Sequence, residues 1–372
     1  MGKAKPKPKE SKTSVGFDYG VDITLDHTSF LDSITSMDLT KLSEKIPDPL
    51  STGIIPLDIL LEGGIRDGDM LTIYSASGLG KSTIALQLSK RMIDIHGKRV
   101  FYVDVEAGIS NQIKTFKLES YIENKTFSFT DDIRMASQLE KLFEAILSEK
   151  NLRFDFIVID SITNVLDDSI FTRSITDQMV ASQAKVITAF LQKFKIQLKA
   201  RGITTVLINQ ERANLEAQTK YDKKTKPAGC QALKFNPDVV IRLRSKEGMK
   251  DRRETPNGIE EIEIGKYLLG SADKNRKSLP GISISFPLVF GKGISNVMFL
   301  TKLLKDKGYV KQAGAYFKTT MLPNPNGEEW SLQGLKGLTK FVDANFDAIN
   351  NILINDQAYR LVVDVEGDDD EV

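Results

Sequence analysis

Residues 70–84, Met70–Ile84 (MLTIYSASGLGKSTI), decide how this chain is read. The apolar, β-branched run Met70–Tyr74 predicts a buried strand, and a glycine-bearing loop follows it. From Ser82 to about Ile95 the apolar residues recur at helical spacing. Strand, loop and helix in that order form a phosphate cradle. Backbone N–H groups of Ser75, Ala76, Ser77, Gly78, Leu79 and Gly80 can wrap phosphate oxygens. The helix N-terminus, with Thr83 in its first turn, adds partial positive charge. Lys81 is placed to reach the β- and γ-phosphates, and the Ser82 hydroxyl to ligate Mg²⁺. ATP with Mg²⁺ is therefore the expected cofactor pair. One position departs from the pattern: Ser75 stands where the motif wants glycine. Gly78 and Gly80 still supply the permissive backbone, so Ser75 is expected only to narrow what the first turn allows.

Two further strand ends converge on the same place. Phe154–Ser161 reads FDFIVIDS, a strand that ends in Asp160, where an acid can hold the shell of a phosphate-bound Mg²⁺. Phe101–Val105 is a third strand, and it carries Asp104 and Glu106 to the same edge. Ligands of open α/β sheets bind at the carboxyl ends of their strands. Glu106 is thus placed as a general base for the attacking water, the plain alternative being a solvated strand-end acid.

Working outward, helices at about 135–150 and 178–200 alternate with strands at 99–105, 154–159 and 204–209, with turns at Gly97 and Gly202. This alternation predicts an α/β fold, a P-loop core with a mostly parallel central sheet. Three later segments, 238–244, 260–267 and 283–289, read as strands that extend the sheet. Between them and the core, residues 211–229 show no apolar period and read as a long loop. The expected division is an irregular basic N-terminal segment (1–45), the ATPase core (46–294), a small C-terminal α/β module (295–360) and an acidic tail (361–372).

Composition excludes several classes. With 41% hydrophobic and 27% charged residues the chain is neither a disordered polyelectrolyte nor a membrane protein, and its apolar runs are far too short to span a bilayer. The Lys/Pro-rich start, MGKAKPKPKESK, lacks the apolar stretch of a signal peptide. One cysteine, Cys230, rules out an internal disulfide and fits a reducing interior, so a cytoplasmic location is expected. Net charge of +1 says nothing about nucleic acid, but its distribution does: five lysines lie in residues 1–12 and an acidic run closes the chain. His27 and His96 lack metal-ligand spacing, and Trp330 is expected to anchor the C-terminal module.

Several stretches together resemble the RecA strand-exchange family, its phage members included. They are Ser51–Leu60 (STGIIPLDIL), Tyr102–Glu106 (YVDVE), Ser182-Gln183, Val206–Gln210 (VLINQ) with Arg212, Gly229–Phe235 (GCQALKF), Lys274–Arg276 (KNR) and Ala313–Tyr316 (AGAY). The resemblance runs from about 46 to 346. It implies an ATPase that polymerises as a helical filament on single-stranded DNA, pairs it with homologous duplex and exchanges strands. It also implies that Gln210 senses the γ-phosphate at the root of a DNA-binding loop. Lys274 and Arg276 would reach the ATP of the neighbouring subunit, in the manner of arginine fingers. Such a cell would be a bacterium or a phage-infected host, and single-strand-binding and mediator proteins would be partners.

The lysines of 211–229, together with Arg212, fit a sequence-blind grip on phosphates: Lys220, Lys223, Lys224 and Lys226. Tyr221 and Leu215 are candidates to stack on or wedge between unpaired bases. A shorter loop at 167–177 offers Arg173 and Phe171. Where bacterial members sandwich the adenine between an aspartate and a tyrosine, this chain has Ser110 and Ile113, a departure from that pattern. The N-terminal segment shows no match to the family's polymerisation helix, although contact with a neighbouring subunit is expected there. Three other functions share the core: a mediator without exchange activity, a hexameric helicase-like motor, and a signalling ATPase without DNA. Glu106, Gln210 and the Lys274/Arg276 pair speak against the first; open filaments rather than rings would exclude the second, and DNA-stimulated turnover the third.

Overall fold

A strand with no polar face has to be covered on both sides. The computed structural model, which describes residues 47–149, 152–171, 179–213, 225–228, 231–255, 258–276, 282–361 and 364–365, meets that demand with two helical layers. The chain divides into a unit Met1–Pro47 and a unit Asp48–Val372, and the fold described here is that of the second. The expected basic segment 1–45 lies outside the described residues.

The core elements follow the motif order. After a short helix α1 (Ile55–Leu60) come β1 (Met70–Ser75), α2 (Lys81–His96), β2 (Val100–Asp104), β3 (Phe127–Thr130), α3 (Ala136–Ser148), β4 (Phe156–Asp160), α4 (Met179–Ala200) and β5 (Thr204–Ala213). Beyond these lie β6 (Thr225–Pro227), β7 (Val239–Thr255), β8 (Gly258–Asn275), β9 (Ile282–Val289) and β10 (Gly293–Ile294). Among the described residues one sheet runs β10-β9-β8-β7-β1-β5-β4-β2-β3, with β6 on β5 and β14 (Asp364–Val365) on β9. From β7 to β3 every neighbour on that path is parallel, whereas β7, β8, β9 and β10 pair antiparallel.

Alternation along the strands divides the core into two layers. Leu71, Ile73, Phe156, Val158, Val206 and Ile208 face the cluster built with α2, through Ile84, Ala85, Leu88 and Met92. Met70, Ile157, Ile159 and Leu207 face the other cluster, where α3 and α4 contribute Phe143, Phe190 and Phe194. Those three rings lie 4.9 to 5.5 Å apart between centroids. Each such side chain removed from water contributes about 1.5–3 kcal/mol, so the motif strand is clamped rigidly from both sides. Helix α2 stops where Gly97 takes a left-handed conformation, with Gly97 and Lys98 donating back to Ile93 and Met92.

Two expectations need correction. The segments read as short strands at 238–244 and 260–267 belong to one long hairpin, β7–β8, in register from Val239↔Asn275 to Thr255↔Gly258; the first lies at its base and the second in its outer half. The outer part of β7, from Ser245, is dense in charged residues with Met249 its one apolar side chain, so no apolar alternation marks it as strand. Likewise, 211–229 is not loop throughout. β5 continues to Ala213 and pairs antiparallel with β6, with Glu211↔Pro227 and Arg212↔Lys226 in register.

The C-terminal module combines α5 (Asn296–Asp306), a three-stranded antiparallel sheet of β11 (Lys311–Ala313), β12 (Tyr316–Thr319) and β13 (Trp330–Gln333), then α6 (Gly334–Ala344) and α7 (Phe346–Asn355). Trp330 packs on Phe341 at 5.1 Å and donates its indole N–H to the Leu322 carbonyl, the anchoring role expected of it. Leu338, Phe341 and Ile349 belong to the same apolar cluster as Leu71 and Ile84.

Candidate active site

The loop between β1 and α2 is shaped by glycines at two places of left-handed backbone, and at the second a side chain would also lack space. Gly78 and Gly80 have φ of 75° and 78°. A Cβ on Gly80 would lie 2.4 Å from a methyl of Leu288. Ser75, in contrast, ends strand β1 and is fully buried; it is not among the residues of positive φ. That is why serine is tolerated at a position where the motif asks for glycine. Its hydroxyl donates to Ala76 O at 2.8 Å.

Lys81 opens α2 and is buried, its Nζ turned onto Ser75 O (3.2 Å), Ser75 Oγ (3.2 Å) and Ala76 O (3.0 Å). Burial pulls the ammonium below its ordinary range, while Asp160, Glu106 and Glu211 pull it back up. Asp160 ends β4 beside it. Burial pushes this carboxyl up, against hydrogen bonds donated by Ser82 and Tyr102. Tyr102 Oη lies 2.6 Å from Asp160 Oδ2, and burial drives its own pKa well above the usual tyrosine range. A buried acid paired with the first helical hydroxyl is a hard-oxygen donor set, and these two residues fit Mg²⁺. Among the described residues there is no cluster of three or more His, Cys, Asp or Glu side chains that could hold a metal by itself.

Glu106 sits one turn beyond β2. Asp104, expected at the site edge with it, instead organises that turn: its carboxylate accepts from the backbone N–H groups of Glu106 (3.2 Å) and Ile109 (2.7 Å). Glu106 Oε1 receives three donors, Ser161 Oγ at 2.9 Å, Asn164 Nδ2 at 2.8 Å and Gln210 Nε2 at 3.0 Å. Gln210 lies opposite Ser75 in the β1–β5 register, which places it next to the loop between β1 and α2. Its carbonyl accepts from Ala228 N (2.7 Å) and Asn209 Nδ2 donates to Ala228 O (3.0 Å), so both ends of the 211–228 segment are fastened at this one point.

Ser161, Asn164 and Tyr102 were not singled out from sequence; only their nearness to Asp160 and Asp104 in the chain hinted at them. Nor was the ion pair at the root of the ribbon, where Arg242 Nη2 and Nε meet Glu211 Oε1 at 2.9 and 3.0 Å with both side chains at most 10% exposed. Arg212 is exposed beside it. Lys226 holds its register place on β6. Arg173, Leu215, Lys220, Tyr221, Lys223 and Lys224 lie outside the described residues, as does Cys230. Ile113 is buried in the core and Ser110 starts a short helix, so neither offers an adenine an aromatic face.

Lys274 and Arg276 are far from this centre. Arg276 N donates to Asp238 O, and Asp238 N to Met70 O, which sets the pair level with the start of β1. Ser75 is five residues further along that strand, about 16 Å away at strand rise. Both cations cap carbonyls of 235–237: Lys274 Nζ donates to Pro237 O at 2.7 Å and Arg276 to Phe235 O at 3.1 Å, while Arg276 also lies 3.5 Å from Asp238. Burial, then the neighbouring Arg276 and Lys195, lower Lys274 to about 8.

No helix among the described residues is long and apolar enough to cross a membrane. The RecA N-terminal domain family matches residues 28–295 of the chain. Protein RecA of Trichodesmium erythraeum is 25% identical over 336 residues, 87% of each chain, and that of Mycolicibacterium smegmatis 27% over 316 residues, 84% of each. The crystal structure of the RadB recombinase covers 66% of this chain and 98% of its own, at 22% identity and a TM-score of 0.44. With a phosphate loop, a strand-end acid and a glutamate–glutamine pair inside a family match that spans more than half of its length, this chain belongs to the RecA family.

Proposed function

We propose that the protein is an ATP-dependent DNA recombinase that forms filaments on single-stranded DNA and drives homologous pairing and strand exchange. The observation that carries this reading is the 3.0 Å hydrogen bond from Gln210 to Glu106, made by the residue at which the 211–228 segment leaves the sheet. A base for ATP hydrolysis and the root of a lysine-rich segment share one contact. A γ-phosphate near Ser75 competes with Glu106 for the Gln210 amide, so nucleotide state bears directly on the segment that would grip DNA.

In this reading the phosphates lie on the N–H groups of 75–83, and Lys81 leaves the loop carbonyls to meet them. Ser82 and Asp160 hold Mg²⁺, which neutralises phosphate charge. Glu106 Oε2 faces the attacking water and takes its proton as the water bonds to the γ-phosphorus and the bond to the ADP oxygen breaks. Because Lys274 and Arg276 lie at the opposite strand ends from Ser75, they serve the nucleotide of an adjacent subunit. Hydrolysis then depends on assembly. Residues 1–45 would supply part of the subunit contact, and Arg212, Lys226 and the other lysines of the segment the grip on DNA.

Turnover measured with and without single-stranded DNA, on material imaged by electron microscopy and assayed for joint molecules with homologous duplex, tests the proposal. DNA-stimulated hydrolysis by open helical filaments that yield joint molecules supports it. Rings that unwind duplex, or filaments that yield no joint molecules, overturn it.

A further inference from the structure

The carboxylate of Glu106 is held asymmetrically. Ser161, Asn164 and Gln210 all donate to Oε1, and among the described residues none donates to Oε2. Three donors on one oxygen fix the plane and rotation of a carboxylate and leave the second oxygen for water. Two of the three donors occupy matching places in the chain. Gln210 immediately precedes the 211–228 segment. Asn164 ends the 3₁₀ turn Ile162–Asn164, three residues before the shorter loop that starts at Asp167. That turn is itself braced, since Gln183 on α4 donates to the Thr163 carbonyl and Leu166 N donates to Arg134 O at 2.8 Å. Asn164 is half-buried and makes no other side-chain hydrogen bond among the described residues, so its amide is not consumed by the fold.

We infer that Asn164 is a positioning residue for Glu106, a counterpart of Gln210 on the same carboxylate oxygen, through which the short 3₁₀ helix Asp168–Phe171 that follows it bears on hydrolysis. The inference rests on Glu106 acting as the base. When a γ-phosphate draws the Gln210 amide away, Ser161 and Asn164 are the donors left to hold Oε1. Asn164 therefore matters most in the nucleotide-bound state. A displacement of Asp168–Phe171 passes to the base over three residues of backbone and one hydrogen bond. The other charged or titratable groups near Glu106 are Lys81, Asp160 and Tyr102, with Asp104 beneath its turn.

The test uses the full chain with saturating single-stranded DNA. For Asn164→Ala, kcat is expected to fall about tenfold with KM for ATP within about twofold, and the ratio of rates with and without DNA to shrink. Asn164→Asp places a second carboxylate against Glu106, and like charge raises the base's proton affinity. The acid limb of its kcat–pH profile then moves up by about one pH unit relative to wild type. Unchanged binding of a fluorescent ATP analogue shows that each variant retains its nucleotide fold. Wild type that hydrolyses ATP on DNA, with an unmoved acid limb in Asn164→Asp or an unchanged stimulation ratio in Asn164→Ala, overturns the inference alone. Wild type without DNA-stimulated hydrolysis overturns the parent reading and the inference with it.

Discussion

At the scale of single residues, the site is a set of charges held by burial and relieved by phosphate. Lys81 rests on loop carbonyls 3.0–3.2 Å away, which in the proposed function it exchanges for phosphate oxygens. Lys81→Ala is expected to abolish hydrolysis; retained DNA-stimulated turnover in a simple phosphate-release assay would count against the assigned site. Lys274 behaves differently because its pKa is lowered to about 8. A lysine loses its charge as pH rises through its pKa, so its attraction for a neighbour's phosphates is present below about pH 8 and lost above it. ATP-driven assembly, followed by light scattering, should decline from about pH 8 upward, and Lys274→Arg should flatten that decline because a guanidinium stays charged. Identical profiles for the two proteins would remove Lys274 from the subunit contact.

Elements turn these residues into a coupled device. Strand β5 carries Gln210 at the site and runs three residues further into a ribbon with β6. The buried Arg242–Glu211 pair ties the root of that ribbon to β7. Breaking such a pair leaves an unpaired buried charge, so the ribbon's root is stiff while its sequence beyond Ala213 is polar and lysine-rich. Lysines on a single strand of nucleic acid act through counterion release, each phosphate contact contributing about 0.7 to the slope of log K against log salt. Lys223→Ala/Lys224→Ala should weaken single-strand binding and lower that slope by about 1.4, as read by fluorescence anisotropy across a salt series. An unchanged slope would take both lysines off the phosphates.

The whole molecule adds what neither residue nor element contains: the geometry on which the proposed division of the site between two copies rests. The sheet puts the phosphate loop at one end of β1 and Lys274 with Arg276 at the other. Two inactive variants should therefore complement each other. Glu106→Gln keeps the donated cations and loses the base, whereas Lys274→Ala/Arg276→Ala keeps the base and loses the cations. Mixed one to one, they should recover about a quarter of the wild-type rate, since one junction in four joins an intact base to intact cations. Recovery no greater than the sum of the separate rates would show that each subunit completes its own site.

Much of this was legible in the amino-acid sequence because the phosphate site is local. Strand, glycine loop, lysine and helix follow one another within residues 70–96, and the apolar runs that end in Asp160 and Asn209 announce buried parallel strands. The full length of the β7–β8 hairpin was not legible, because residues 245–255 of β7 hold a single apolar side chain, Met249, and so carry no alternation to read. Nor were the donors that aim Glu106. Ser161 and Asn164 follow β4 and Gln210 stands on β5, 55, 58 and 104 residues from the glutamate, and only the order β5-β4-β2 brings them to one oxygen. Chain-local chemistry was set by the order of the amino acids, while the direction in which the base points was decided by which strands lie side by side.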